Sequence, residues 1–191
     1  MKKIQYPITA TFIDEISYDM PSSNWTKKQW SKEFDYMKAV GIDTVVLIRG
    51  GFYGRTLFPC EGFAYLSNDD FVSRLLYETE KRGMKFFMGL YISNLNWNNG
   101  DYQGELEKNK IFIEEFLKRY GKSPSFCGWY IPHEQSHEVY NLGDTIASLA
   151  AYCKERTPEK VVFISPFYKT EITSGTPHSP EAFYAEWDER T

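Results

Sequence analysis

The chain has 191 residues, 42% hydrophobic and 25% charged, with a formal net charge of -4. That is the composition of one globular domain with a sizeable core. The acidic balance argues against nucleic acid or an anionic membrane as a partner, because both demand a clustered basic face. No apolar run approaches the roughly 20 residues that a membrane span needs. MKKIQYPITATF holds two lysines but no apolar core of a signal peptide. As given, the chain reads as cytoplasmic, or as periplasmic or secreted if a leader has been removed.

Strand and helix alternate along the chain. Residues 8–13, ITATFI, are β-branched and aromatic and read as a strand. Residues 26–40 read as a helix, with Trp30, Phe34, Met37 and Val40 on one face, Thr26 as N-cap and Gly41 as stop. DTVVLI, 43–48, is a short continuous apolar run, the pattern of a strand buried on both faces. A helix over 68–82 starts at a Ser67-Asn68-Asp69-Asp70 cap region and stops at Gly83; strand 84–91 follows. Helix 103–120 carries an apolar stripe of Leu106, Ile113, Phe116, Leu117 and Tyr120, and strand 126–131, FCGWYI, comes next. Helix 143–156 leads to strand 160–165, and a last helix begins near Pro180.

This order predicts an α/β fold with right-handed crossovers and a parallel sheet. The βα loops are long (14–25, 49–67, 92–102, 132–142, 166–180), whereas the αβ loops are only a few residues. That asymmetry is the pattern of a TIM-type (β/α) barrel, whose site is built from the βα loops. A five-stranded flavodoxin-like sheet is the structural alternative. A complete barrel takes about 250 residues, so the expectation is a partial barrel of about five β/α units. Residues 1–191 would form one barrel-type domain lacking the C-terminal units of a full barrel. Open edges on such a sheet predict self-association, a homo-oligomer covering them. No GxGxxG follows the first strand, which removes the main support for a dinucleotide fold, and Gly50-Gly51 reads as a turn rather than a phosphate loop. Cys60, Cys127 and Cys153 read as reduced, mostly buried thiols. No cofactor is expected.

Every strand exit carries polar or aromatic groups: Asp14 and Glu15; Arg49; Tyr91, Ser93 and Asn94; His133, Glu134 and Gln135; Ser165 and Tyr168. Glu134 follows a buried strand and sits beside aromatics, a setting that raises a carboxyl pKa and suits a general acid. Cleavage of a glycosidic bond needs that acid and a second carboxylate about 5–9 Å away; Asp14 and Glu15 are the candidates in this chain. Arg49 could hold a carboxylate through its planar fork or serve a structural ion pair with Glu134 or Asp14. Asp14, Arg49, Tyr91, Asn94, Tyr130 and Tyr168 are the candidate sugar-positioning residues. Aromatics reach 17% of the chain, many of them in loops, and rings on a cleft wall suit the apolar face of a sugar. Trp97, Trp129 and Tyr130 are the candidate stacking surfaces. Trp129 and Tyr130 point to opposite faces of their strand, and Tyr130 is in phase with Glu134. HEQSHE also resembles the HExxH zinc motif, so a metal-dependent hydrolase using His133, Glu134 and His137 is a further reading.

The segments ITATFIDE, WSKEFDYMKAVGIDTVVLIRGG, FIEEFLKRYGKSPSFCGWYIPHEQ and ERTPEKVVFISPFY together resemble a bacterial family of glycoside-hydrolase-like TIM barrels. That family is common in gut Bacteroides-type bacteria and is known as a domain of unknown function. The resemblance spans roughly residues 8–170, and GWYIPHE and ISPFY are its most specific parts. It implies a TIM-barrel fold and action on, or binding of, carbohydrate. In related retaining glycosidases the acid/base glutamate follows strand four, the place that Glu134 matches, and the nucleophile follows strand seven, which has no counterpart in this chain. A glycosidase with Glu134 as acid/base is therefore the first expectation, and a non-catalytic carbohydrate-binding barrel the alternative.

Overall fold

A computed structural model describes residues 7–17, 20, 22–65, 69–93, 96, 99–133 and 142–165. Within them the chain runs β1 (Ala10–Ile13), α1 (Lys27–Ala39), β2 (Thr44–Leu47), β3 (Gly51–Phe52), β4 (Arg55–Thr56), β5 (Ala64–Tyr65), α2 (Phe71–Lys81), β6 (Lys85–Gly89), β7 (Tyr91–Ile92), α3 (Tyr102–Tyr120), β8 (Phe126–Ile131), α4 (Leu142–Arg156) and β9 (Val161–Ile164). The last helix expected near Pro180 lies outside the described residues.

The helices begin where local chemistry tells them to. Thr26 accepts from the Gln29 amide at 3.3 Å, while the Gln29 side chain accepts from the Thr26 amide at 2.9 Å, a reciprocal capping box. Asp70 caps α2 through the Ser73 amide at 2.9 Å, and Asp101 caps α3 through the Gly104 amide at 2.9 Å. Gly41 and Gly83 follow α1 and α2 with φ of +94° and +60°, the left-handed exit that glycine takes without steric cost.

The main sheet has the order β1-β2-β6-β8-β9, with every neighbour parallel. Strands that neighbour one another in strict chain order, joined by crossovers of one hand, put all the helices on one face. A flavodoxin-like sheet reverses its order at a switch point and carries helices on both faces. The observed order is that of a barrel wall. Register and alternation place Ile13, Val45, Leu47, Phe86, Met88, Trp129 and Ile131 on the helix-covered face, all of them buried. Phe12, Val46, Phe87, Tyr130 and Phe163 lie on the other.

That second face is concave. In a flat sheet β1 and β8, three steps apart in the order, would stand about 14 Å from one another. Yet the Phe12 and Tyr130 rings meet edge to face at 5.1 Å between centroids. Phe87 of β6 meets Phe163 of β9, across β8, at 5.2 Å, and Tyr130 meets Phe163 at 5.2 Å. The sheet curls as a barrel wall does, and Phe12 remains 48% exposed on the inner surface.

The segment after β2, expected as a plain loop, is a second sheet of order β5-β4-β3-β7. β3 and β4 form a hairpin whose two turn residues, Tyr53 and Gly54, both have positive φ (52° and 77°), the twist of a type I′ turn. Gly50 and Gly51, read as a turn, let β2 run on into β3. A Cβ on Gly51 would stand 2.6 Å from the Tyr91 ring, and one on Gly50 would stand 2.2 Å from the Met88 methyl. Gly89 is tighter still, since its Cβ would lie 2.2 Å from the Leu47 carbonyl oxygen and 2.4 Å from that of Ile48. Only backbone can pass there. Gly89→Ala is therefore expected to destabilise the fold by about 3 kcal/mol, read as a lowered urea midpoint at unchanged slope.

Candidate active site

The strand exits gather at one rim. At β1, Asp14 faces back into its own turn: its Oδ1 accepts from the amides of Ile16 and Ser17, both at 3.1 Å, and its Oδ2 from the Ser17 hydroxyl at 2.5 Å. The Ser17 Oγ in turn accepts from Arg49 Nη1 at 2.7 Å. Arg49, at the exit of β2, lies over the Phe52 ring at 5.1 Å and makes no ion pair among the described residues. The ion pair with Asp14 weighed from the sequence is thus a relay through a serine. Glu15 points the other way, into the α1–α2 side, where it is buried and accepts from the Ser22 hydroxyl. Burial pushes its carboxyl above the usual range, with Asp14 adding to the rise while the Ser22 bond and Arg74 oppose it.

Tyr91 is 3% exposed and sits beneath the hairpin, its hydroxyl accepting from the Gly54 amide at 2.9 Å. It packs on Phe63 at 4.7 Å and on Phe112 of α3 at 6.4 Å. Tyr91 holds the rim together, enclosed between the hairpin and α3. Burial raises its phenol pKa, the Gly54 bond opposing. On β8 the two aromatics separate as alternation requires. Trp129 is fully buried against Phe116 and Phe126, its Nε1–H donating to Thr157 Oγ1 at 2.9 Å. Tyr130 turns to the concave face between Phe12 and Phe163.

A buried polar clamp that sequence reasoning missed ties the rim to α3. Glu105 and Asn109 are both 0% exposed. Glu105 accepts from the Ser93 amide with both oxygens, at 3.0 and 3.3 Å, and binds His133 Nε2 at 2.9 Å. Asn109 completes a two-way bond with the Tyr91 backbone, accepting from its amide and donating to its carbonyl, both at 3.0 Å. The side chain of α3 thus replaces a sheet partner for the strand extension that ends at Ser93. The same carboxylate fixes His133, the residue before Glu134. Glu134, Asn94, Tyr168, Trp97 and His137 lie outside the described residues. Of the HEQSHE histidines only His133 is described, and its Nε2 is engaged by Glu105. No group of three or more metal-type ligands occurs among the described residues, and no described helix is long and apolar enough to cross a membrane.

Two thiols are sealed in the core: burial pushes Cys60 and Cys153 up to about 12, for Cys60 with a further rise from Glu115. Cys127 is half-buried.

A sequence-family model described as "Domain of unknown function (DUF4434)" matches residues 8–190. Among solved structures, the chain resembles one titled a "putative alpha-L-fucosidase" from Bacteroides thetaiotaomicron, at 36% identity and a TM-score of 0.86, over 100% of this chain and 63% of that one. The chain thus spans less than two thirds of that protein's length. A β-1,4-D-mannanase from Cryptopygus antarcticus aligns at 12% identity and a TM-score of 0.53, over 90% of this chain and 60% of that one. A family 39 glycoside hydrolase from Bacteroides cellulosilyticus aligns at 10% identity and 0.53, over 83% and 31%. These two share the fold. No curated protein sequence matches the chain.

Two outcomes follow from the clamp. Glu105→Ala removes one member of a buried charged network and is expected to cost about 3–5 kcal/mol. Asn109→Ala strands the Tyr91 amide and carbonyl and should cost about 2–4 kcal/mol. Both are read by chemical denaturation. A loss below about 1 kcal/mol at either position would mean that the rim is held by other contacts.

Proposed function

We propose that this chain, which belongs to the DUF4434 family, is the substrate-bearing wall of a glycoside hydrolase, with Glu134 as its general acid/base. The observation that carries this reading is the 36% identity, over the whole chain, to the Bacteroides protein described as a "putative alpha-L-fucosidase". An α-L-fucoside is accordingly the first substrate to test. The reading treats residues 1–191 as one barrel-type domain.

Strand order makes β8 the fourth strand of the wall, and Glu134 follows its last residue, Ile131, by three positions in the sequence. Glu134 would protonate the departing glycosidic oxygen as its bond to the anomeric carbon breaks, and water, giving its proton to the same carboxylate, would add to that carbon. His133, held by Glu105, would act as a positioning residue by fixing the backbone that carries Glu134 into the loop. The exposed ring of Phe12, with Tyr130 and Phe163 beside it, offers an apolar floor for one face of a sugar. Arg49 at the exit of β2 offers donors to a ring hydroxyl or a carboxylate. Asn94 and Tyr168 follow β7 and β9 in sequence and would complete the mouth.

Binding without turnover is the second reading, and one observation favours it. Of the two carboxylates leaving β1, Asp14 is occupied by its own turn and Glu15 faces away from the concave side. Neither stands ready as the second carboxylate.

The test is hydrolysis of p-nitrophenyl α-L-fucopyranoside and a panel of other aryl glycosides, followed by Glu134→Gln. Turnover by the wild type that falls by about 10²–10⁴-fold in the variant, with sugar binding kept, supports the acid/base role. Unchanged turnover removes Glu134 from it. Saturable sugar binding with no turnover on any glycoside moves the chain to the second reading.

A further inference from the structure

The side of the rim turned away from the concave face holds a cleft of about 320 Å³ between the N-terminal ends of α1 and α2. Its volume is that of a small-ligand site. One side is apolar and aromatic: Trp25 and Trp30 stand 5.1 Å apart, tilted by 57°, and Trp30 meets Phe71 edge to face at 5.1 Å. Trp30 is 4% exposed, whereas Trp25 is only partly buried and keeps ring surface for a ligand. The other side is polar, formed by Glu15, Ser22, Asp69 and Arg74. Arg74 Nη2 is anchored on Asp69 at 2.6 Å, and its Nε–H is buried and makes no hydrogen bond among the described residues. The guanidinium therefore keeps a donor that its anchor does not use. A second cavity of about 400 Å³ shares Asp69 and Arg74 and continues along α2 to Ser73 and Tyr77, the latter 62% exposed.

We propose that this cleft is a second saccharide site, separate from the concave face, which takes one pyranose ring with its apolar face on Trp25 and its hydroxyls on Glu15, Ser22 and Arg74. The argument is one of matched surfaces. A ligand for this cleft must be apolar on one face and rich in both donors and acceptors at its edge, and a pyranose is both. Asp69 pairs with Arg74, and a neutral ring enters without separating that pair. Glu15 is the deep acceptor. The neighbouring cavity gives a second residue of an oligosaccharide room to follow along α2 towards Tyr77. The site does not depend on Glu134 or on catalysis.

The test is titration of the ¹⁵N-labelled full chain with L-fucose, D-galactose, D-glucose, D-mannose and N-acetylglucosamine, followed at the indole N–H signals of its five tryptophans. At least one sugar is expected to shift Trp25 and Trp30 saturably. Trp129, whose N–H is locked on Thr157 in the core, is expected to stay still and serves as the internal reference. Arg74→Met should weaken that binding by about tenfold or more, while Glu134→Gln leaves it unchanged. Absence of a saturable shift at Trp25 and Trp30 with every sugar overturns the proposal, as does binding that Arg74→Met leaves intact. Aryl-glycoside hydrolysis is scored separately, so loss of this site and loss of the hydrolase reading are told apart.

Discussion

A row of strand ends becomes a site only when the sheet that carries it is curved. The contact between Phe12 and Tyr130 is the constraint from which the rest follows. Rings too large to stand side by side on a flat surface close against one another when the inner face is concave, and the edge-to-face geometry they reach is the favoured one for aromatic pairs. Phe87 and Phe163 repeat the arrangement one strand further on. The outer face, under the helices, carries Val45, Leu47 and Met88 together with Phe86 and Trp129, all buried.

Curvature alone leaves the strand ends ragged. The extensions beyond β2 and β6 leave the main ladder, and each residue there needs new partners for its N–H and C=O. Two solutions appear. The hairpin supplies backbone partners to Gly51 and Phe52. Helix α3 supplies side-chain partners, Asn109 to Tyr91 and Glu105 to Ser93. Glu105 is the more demanding, because a fully buried carboxylate is tolerated only when its lone pairs are used. Its pairing with His133 makes the ends of β7 and β8 one unit, so the segment leading to Glu134 is anchored to the same helix as the rim beside it.

Much of this architecture was legible in the residues. Thr26, Asp70 and the glycines after α1 and α2 announce helix ends through local chemistry, and continuous apolar runs announce buried strands. Period-two alternation separated Trp129 from Tyr130 correctly. Strand order was reachable only by analogy, since parallel neighbours are chosen by long-range packing. The hairpin was missed because Phe52-Tyr53-Gly54-Arg55 carries a tyrosine at positive φ, where turn signals favour asparagine or glycine. The clamp was missed because Glu105 and Asn109 are polar and stand outside the apolar residues that mark the stripe of α3. Glu105, Asn109, Phe112 and Phe116 follow one another at four, three and four residues on one helix, which continues the buried stripe backwards with polar groups, and that continuation was the available signal. Sequence shows likewise that Tyr91 follows a strand, not that a hairpin folds over it.

The sealed thiols carry a consequence of their own. Burial lifts Cys60 and Cys153 to about 12, which favours the thiol over the reactive thiolate at neutral pH. Burial thus keeps both sulfurs out of thiol chemistry and leaves them to act as packing groups within the core.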